Sequence, residues 1–176
     1  NDLAVFDLKK NNTNGGSIRY YISHSNSKYK VKYNKILSIL KEEKFFKLEK
    51  KNTYKKFLKN INIQKNKLHN FLKSKIKQKN IIHGYGASTK GNVLLQYFNI
   101  NHNLINFIAD RNPKKYNLYT PGTKIKIISE KLSRKMKPKY YLVLPWHFKN
   151  EILKREITIR KKGTKFIFPL PKLNIL

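Results

Sequence analysis

One short stretch of this sequence restricts the fold more than any other. Two isoleucines at 81–82 precede Gly84 and Gly86, and an apolar helical pattern follows at about 88–99. A second apolar run then ends at Asp110. This order of strand, glycine turn, helix, strand and acid is typical of a nucleotide-binding βαβ unit. We therefore predict a strand–turn–helix in which the positive end of the helix faces an anion.

The basic composition favours a different class of partner, but it is weak evidence for one. The 176 residues include 40 Lys and Arg against nine Asp and Glu, which gives a formal net charge of +31. Only five of these basic residues are arginine, the side chain that bidentate recognition of phosphate or guanine favours. An A/T-biased genome would produce this excess of Lys, Asn and Ile without selection for nucleic-acid binding. A lysine-rich nucleic-acid-binding protein therefore stays open as a disfavoured alternative.

The sequence lacks the residues that several kinds of site require. There is no cysteine, so disulfides, thiolate metal sites and cysteine nucleophiles are excluded. There is no HExxH motif and no pair of histidines at ligand spacing, so we predict no metal site on this chain. No apolar run approaches the ~20 residues of a transmembrane helix. The chain begins at Asn1, and we interpret it as part of a longer protein.

Three zones follow one another along the chain. Residues 1–27 predict a β-hairpin that turns at 14–16 and completes a sheet whose other strands lie outside this sequence. Residues 28–79 contain neither glycine nor proline, and their apolar side chains recur every three or four positions, which predicts helix. Residues 80–176 alternate between strand and helix patterns.

This alternation predicts an α/β fold: a small Rossmann-like domain with a mostly parallel, five-stranded sheet and helices on both faces. We place the strands near 80–84, 105–109, 125–128, 140–144 and 164–168. We place the helices near 88–99, 129–136 and 147–161, with a short or absent helix at 112–117.

The glycine loop fits no single nucleotide-binding motif. Its third glycine, Gly91, comes two residues later than in the dinucleotide fingerprint, and Lys90 precedes a glycine instead of following one as in a P-loop. We predict that the amides of Gly84, Gly86 and Ala87, together with Lys90, face phosphate oxygens. A NAD-type domain of an oxidoreductase is one alternative, and a tight turn that binds nothing is another.

Three further residues are candidates for substrate binding. Asp110 follows a strand at the end where α/β sheets place ligands, and Trp146 follows another strand, so we expect one of them to face sugar or base. Arg19 follows a glycine turn and could reach a phosphate. Each also has a structural interpretation: Asp110 as a turn residue, Trp146 as the start of a helix, and Arg19 as a surface residue.

Taken together, these stretches resemble the carboxyl-terminal part of the sugar C-methyltransferases. The order and approximate spacing of the matching blocks fit that family across nearly the whole chain. The blocks that carry the resemblance are Gly15-Gly16-Ser17-Ile18-Arg19, Gly84-Tyr85-Gly86-Ala87, Lys90-Gly91-Asn92, Asp110-Arg111-Asn112-Pro113, Tyr119-Thr120-Pro121-Gly122-Thr123, Leu144-Pro145-Trp146, Glu151-Ile152 and Phe166-Ile167-Phe168-Pro169-Leu170-Pro171.

The resemblance implies an organisation for the longer protein. Such enzymes have an amino-terminal zinc-binding region, a central methyltransferase domain that binds S-adenosylmethionine, and a Rossmann-like terminal domain. Residues 1–27 would then be the last strands of the central domain, 28–79 a helical connection, and 80–176 the terminal domain. The zinc ligands and the S-adenosylmethionine loop would lie outside this chain.

The resemblance also implies a function. The enzymes methylate a nucleotide-linked keto-deoxysugar, such as a dTDP-sugar, in the bacterial cytoplasm. This chain would hold the substrate but lack the catalytic base, so it would be inactive alone. No catalytic residue is assigned here, because His147 stands where the family often has asparagine.

Overall fold

The computed structural model describes all residues, 1–176. The chain forms two compact units, 1–60 and 61–176, and the boundary between them falls within one long helix. The domain boundaries expected at residues 27 and 79 stay predictions, since they concern a longer protein.

The first unit begins with the predicted hairpin. Strand β1 (Leu3–Asn11) pairs antiparallel with β2 (Ser17–His24), and helix α1 (Tyr33–Phe45) follows. The Asp7 carboxylate of β1 accepts hydrogen bonds from Lys32 and Lys35 at 2.6 and 2.7 Å. These two ammonium groups hold the pKa of Asp7 far below its usual range. The ion pairs thereby connect the hairpin to the start of α1.

The long helix α2 (Lys51–Lys77) belongs to both units. The region predicted as helical, 28–79, therefore contains two helices separated by a turn at 46–50. In the second unit, Leu68 and Leu72 of α2 are fully buried. They face the core because residues four apart lie on the same side of a helix.

The second unit contains a mixed sheet of six strands. Its spatial order is β5-β4-β3-β6-β7-β8, so the direction of chain progression reverses between β3 and β6. The first five strands are parallel, and β8 is antiparallel to β7. The strands are β3 (Ile82–Tyr85), β4 (Phe107–Asp110), β5 (Lys126–Ser129), β6 (Tyr140–Val143), β7 (Lys165–Phe168) and β8 (Asn174–Ile175).

The sheet thus has one strand more than the five predicted. The five parallel strands lie within two residues of their expected positions. The sixth strand, β8, is only two residues long and follows Pro169 and Pro171, so no alternating pattern announces it. Reciprocal backbone hydrogen bonds between Phe166 and Leu176 extend this pairing.

The helices cover both faces of the sheet. Serine side chains cap two of them: Ser88 accepts from the Gly91 amide at 3.0 Å, and Ser129 accepts from the Leu132 amide at 3.1 Å. The single helix predicted at 147–161 is broken in two at Glu156, and 113–115 form only a 3₁₀ turn. The helices are α3 (Thr89–Tyr97), α4 (Glu130–Lys135), α5 (Lys149–Arg155) and α6 (Ile157–Lys161). None of the helices in the chain is both long and apolar enough to cross a membrane.

The sheet has one hydrophobic core on each face. Successive side chains of a strand point to opposite faces, so they pack alternately in the two cores. One side, called here the aliphatic face, packs against α2 and α3 through Ile82, Leu142 and Leu144. The other side, the polar face, packs against α4 and α5 through Tyr85 and Tyr141. Because both faces are buried, most of the strands lack an alternation of polar and apolar residues in the sequence.

Candidate functional site

The candidate site lies where the strand order reverses. The carboxyl ends of β3 and β6 are neighbours there, and crevices at such reversals are where open α/β sheets bind ligands. The glycine loop, residues 84–91, crosses this edge between β3 and α3. One cavity lies on each side of the loop, both within the second unit.

The first two glycines of the loop are required for different structural reasons. Gly84 is buried within β3, where an added Cβ would lie 2.6 Å from the Ile108 side chain of β4. Gly86 has a φ of +78°, a conformation that favours glycine, and an added Cβ would also lie 2.9 Å from Pro145. Gly84 therefore serves the packing of two strands, whereas Gly86 makes the turn.

The loop amides have acceptors within the chain. The Gly86 N–H donates to the Ala109 carbonyl, and the Ala87 N–H donates to Oδ2 of Asp110, both at 2.7 Å. The other carboxylate oxygen of Asp110 accepts from the Asn112 amide at 2.8 Å. Asp110 thus fixes the loop against the end of β4. The predicted roles of these amides toward phosphate, and of Asp110 toward a sugar or base, stay predictions.

A lysine that the sequence analysis did not select completes this arrangement. Lys115 Nζ donates to the Ala87 carbonyl at 2.8 Å and lies 3.6 Å from Oδ2 of Asp110. The Lys115 side chain is only part-exposed, and it lines one of the two cavities. A cation is therefore held beside the glycine loop at a position where it can also contact an anionic ligand.

The cavity on the Gly86 side, called here the charged cavity, has a volume of about 330 Å³. It lies over the polar face of the sheet, and most of its lining side chains are ionisable. Its mouth carries an aromatic ring, that of Phe148, which is 44% exposed. The lining residues are Tyr85, Gly86, Asp110, Arg111, Glu130, Pro145, Phe148, Glu151, Ile152 and Arg155.

A network of ion pairs around Glu156 and Glu130 lies beside this cavity. Glu156 is only 3% exposed, and its carboxylate accepts from Tyr85 Oη at 2.6 Å, Arg134 at 2.9 Å and Arg155 Nε at 3.0 Å. Glu130 accepts from the same two arginines at 3.1 and 2.8 Å. Burial raises the pKa of Glu130 above its ordinary value, although Arg134 opposes this change. Two acids and two bases thus neutralise one another.

Three buried side chains of the polar face form a second hydrogen-bonded network. His83 Nδ1 and Ser133 Oγ are 2.8 Å apart, and Ser133 Oγ lies 2.8 Å from Tyr141 Oη. Burial lowers the pKa of His83 to about 4 and raises that of Tyr141. Both side chains are therefore uncharged at neutral pH, as their burial requires.

The ionisable residues of the second unit are unevenly distributed. All four acids of this unit line the charged cavity or belong to the ion-pair network beside it: Asp110, Glu130, Glu151 and Glu156. Three of the five arginines in the chain, Arg111, Arg134 and Arg155, lie there too. In a chain with 40 basic residues, this grouping of acids and arginines indicates the site more clearly than the net charge does.

The cavity on the Ala87 side, called here the aliphatic cavity, has a volume of about 300 Å³. It lies at the start of α3, and several of its walls are hydrocarbon. The lining residues are Ala87, Ser88, Thr89, Asn92, Leu95, Lys115, Thr120, Pro121, Ile127 and Leu144. The two cavities therefore differ in chemistry although they share the glycine loop.

The structure gathers some of the predicted site residues but not all. Gly86 and Asp110 line the charged cavity, Ala87 lines the aliphatic cavity, and Lys90 lies in the first turn of α3. Trp146 is half-buried and packs against both core clusters, without lining either cavity. Arg19 belongs to the first unit, where it is exposed on β2 opposite Lys9.

Sequence analysis missed the charged residues that approach from α4 and α5. These residues are distant in sequence from the glycine loop and belong to no motif. Only the scarcity of acids and arginines in this sequence could have pointed to them. They are Glu130, Arg134, Arg155 and Glu156. The fold brings together no group of three or more His, Asp or Glu side chains that could hold a metal ion.

Comparison with known proteins relates the chain to one family. The family described as "C-methyltransferase C-terminal domain" matches residues 12–171. The C-methyltransferase NovU of Streptomyces niveus is 27% identical over 174 residues, which is 99% of this chain and 41% of that protein. The chain thus spans about two fifths of the length of this curated relative.

Proposed function

Since this chain belongs to the family of C-methyltransferase C-terminal domains, we propose that it holds the substrate of a methyltransferase that acts on a nucleotide-linked keto-deoxysugar. The observation that carries the proposal is the glycine loop at the strand reversal, with one cavity on each side. A nucleotide-sugar has the same layout, because a diphosphate joins two ring systems. The name of the relative, a C-methyltransferase, supports the reaction class.

The strand order supports describing the second unit as a Rossmann-like domain. Numbered from the glycine loop, the strands run 3-2-1-4-5-6 across the sheet, which is the order of dinucleotide-binding folds. Such folds bind the pyrophosphate at the start of the first helix. This supports the assignment of Lys90, at the start of α3, to a phosphate.

The reaction explains why a methyltransferase needs a domain of this kind. A base would remove a proton from the carbon next to the sugar ketone, and the resulting enolate would take the methyl group of S-adenosylmethionine, whose S–CH3 bond breaks so that the sulfur leaves as a thioether. The two reacting carbons must be held at near-attack distance. The diphosphate and nucleoside do not react, so they can serve as the handle by which this chain positions the sugar.

The remaining parts of the enzyme belong to the proposal as well. Residues 1–27 would complete the methyltransferase domain, 28–79 would connect the domains, and 80–176 would hold the handle. S-adenosylmethionine, zinc and the catalytic base would be bound or supplied by residues outside this chain. The reaction would take place in the cytoplasm, where activated sugars are made.

Calorimetric titration of the chain with dTDP, NAD and S-adenosylmethionine at physiological salt tests the proposal. We expect dTDP alone to bind. Lys90→Ala should weaken dTDP binding about tenfold, as expected for the loss of a charge-assisted hydrogen bond. Lys131→Ala, at an exposed position of α4, is the matched control and should leave the affinity unchanged.

Two other results would overturn the proposal. Binding of NAD in preference to dTDP would identify an oxidoreductase-type domain instead. If none of the three ligands binds, the chain does not hold the nucleotide handle. An unchanged affinity in Lys90→Ala with intact dTDP binding would remove only the assignment of that lysine.

A further inference from the structure

One segment of the first unit, residues 44–59, is exposed along nearly its whole length. This segment, called here the basic aromatic segment, contains the end of α1, the turn at 46–50 and the first turns of α2. Thr53 is partly buried, and every other residue of the segment is exposed. Grouped apolar side chains that stay open to solvent mark an interaction surface. The large apolar side chains exposed here are Phe45, Phe46, Leu48, Tyr54, Phe57 and Leu58.

The turn within this segment has a defined conformation. Thr53 Oγ1 donates to the Lys47 carbonyl at 2.8 Å, and the Lys50 amide donates to the same carbonyl at 3.0 Å. The rings of Phe45 and Phe46 contact each other edge to face, with their centroids 5.3 Å apart. The apolar side chains near the turn are therefore presented by folded backbone.

The first turns of α2 are amphipathic. Tyr54, Phe57 and Leu58 recur at the spacing that places side chains on one side of a helix, and each is at least 50% exposed. Helical spacing places three lysines on the opposite side: Lys55, Lys56 and Lys59.

The same apolar spacing has a different outcome in the second unit. There Leu68 and Leu72 of α2 are fully buried. The stripe at 54–58 stays exposed although it has the pattern of a helix face that is normally covered. It therefore requires a surface that this chain does not supply.

The charge of the basic aromatic segment indicates which kind of surface fits. Residues 44–59 contain seven lysines and one acid, Glu49, whose contact with Lys50 at 4.0 Å is the only ion pair in the segment. Such a segment is complementary to an anionic surface. Lysine is depleted at protein–protein interfaces, which disfavours a protein partner. At a lipid surface, lysine can place its stem along hydrocarbon and its ammonium group among the headgroups.

The base composition of the genome does not account for this arrangement. It can raise the number of lysines throughout the chain, but it does not determine which aromatic rings stay exposed. Phe45 is 78% exposed, more than any other large apolar side chain here. Lysines beside exposed aromatic and leucine side chains are typical of helices that lie in a membrane interface.

We propose that the basic aromatic segment binds the surface of an anionic lipid bilayer. Its apolar side chains at 45–48 and 54–58 enter the boundary between headgroups and acyl chains, and its lysines contact lipid phosphates. This mode of binding requires no helix that crosses the membrane. It goes beyond the proposed function, because the segment belongs to the first unit and the candidate site to the second.

Co-sedimentation with lipid vesicles at physiological salt tests this inference. Vesicles of phosphatidylcholine alone are compared with vesicles in which about a third of the lipid is phosphatidylglycerol. We expect the chain, and the longer protein to which it belongs, to bind only the second kind.

A first pair of variants tests the apolar contribution. Phe57→Ser combined with Leu58→Ser should weaken binding to the anionic vesicles about tenfold, because less apolar area enters the interface. Leu132→Ser combined with Ile157→Ser is the matched control. These two side chains are 43% and 50% exposed in the second unit, and their replacement should leave vesicle binding unchanged.

A second pair of variants tests the charge. Lys55→Glu combined with Lys56→Glu should weaken binding at least tenfold, or about 1.4 kcal/mol, because four units of charge change near the surface. Lys131→Glu combined with Lys135→Glu makes the same change at exposed positions of α4 and should have little effect.

Several results would overturn the inference. Absence of binding to anionic vesicles would overturn it directly. Equal loss in the two lysine variants, or full binding by Phe57→Ser with Leu58→Ser, would show attraction by net charge alone, as for any polyanion. Vesicle binding by this chain but not by the longer protein would show that another part of the enzyme covers the segment. None of these results changes the expected titration with dTDP, so the proposed function is tested separately.

Discussion

The two faces of the sheet are equally buried but chemically opposite. The aliphatic face consists almost wholly of leucine and isoleucine, packed against α2 and α3. The polar face buries tyrosine and phenylalanine together with His83, Ser133 and Glu156. Each face leads to the cavity of matching chemistry, aliphatic or charged.

This difference shows that the two faces have different roles: one stabilises the sheet, and the other positions charged side chains. Hydrocarbon packing has no direction, so the aliphatic face stabilises the sheet without specifying where charges lie. Hydrogen bonds and ion pairs are directional, so the polar face sets the position of the arginines at the charged cavity. The comparison can be tested because the two kinds of core should respond differently to pH. Trp146, the only tryptophan, packs against both clusters and can report unfolding of the second unit by fluorescence.

The largest effect should come from the aliphatic face. Leu142 is fully buried in the central strand β6, and Leu142→Ala would leave a cavity in the core. We expect a loss of about 4 kcal/mol in the free energy of unfolding, measured in urea by Trp146 fluorescence. The loss should be the same at pH 5 and pH 7.5, and a clear dependence on pH would break the comparison.

The next largest effect should be the pH dependence of the polar face. The pKa of His83 is about 4 when folded and about 6.5 when unfolded, so the unfolded state binds more protons between these values. The His83 contribution to stability is therefore fully present above pH 6.5 and is lost as pH falls toward 4. We expect it to reach about 3 kcal/mol.

The His83→Gln variant isolates this contribution. The raised pKa of Glu130 acts with the opposite sign, because the folded state then holds its proton more readily as pH falls. The difference between the native protein and His83→Gln cancels that effect. Native stability should fall more steeply than that of the variant between pH 6.5 and 4, and parallel curves would show that His83 is not held neutral.

The smallest of the three effects should come from the ion network. Glu156→Gln keeps the size of the side chain but removes the charge that Arg134 and Arg155 share. Both arginines are about two fifths exposed and can regain solvent, so we expect a loss of about 2 kcal/mol in the free energy of unfolding.

A matched variant sharpens this last measurement. Glu130→Gln removes the more accessible carboxylate of the same network and should cost less than 1 kcal/mol. If Glu156→Gln is as mild as Glu130→Gln, the pairs of the more deeply buried acid contribute no more than those of the more accessible one. The polar face would then be held by its aromatic packing alone.

Much of the fold follows from local pattern. The five parallel strands are predictable because each is a short apolar run that ends at a turn residue, as with Asp110 and Ser129. Glu156 is different: a single acid in a helical pattern does not show that it is buried, nor that the helix breaks there. The two-residue strand β8 is likewise not predictable from local pattern, because it forms only through its pairing with β7.

The candidate site is predictable only in part, for a similar reason. Gly86 and Asp110 belong to one βαβ unit, so their sequence spacing carries them to the same edge of the sheet. Arg155 and Glu130 arrive from two other helices, and no spacing rule connects them.

The cluster of Arg111, Arg134 and Arg155 has a consequence for which substitutions this sequence can tolerate. Two arginine codons become lysine codons through a single change of G to A, the direction in which an A/T-rich genome drifts. Lysine cannot reproduce the two-pronged contacts that Arg134 and Arg155 make with Glu156 and Glu130. An Arg-to-Lys replacement at Arg134 or Arg155 would therefore weaken the network, whereas the same replacement on an open surface would change little. In a chain with 35 lysines, two of the five arginines thus stand where the geometry of the guanidinium group is used.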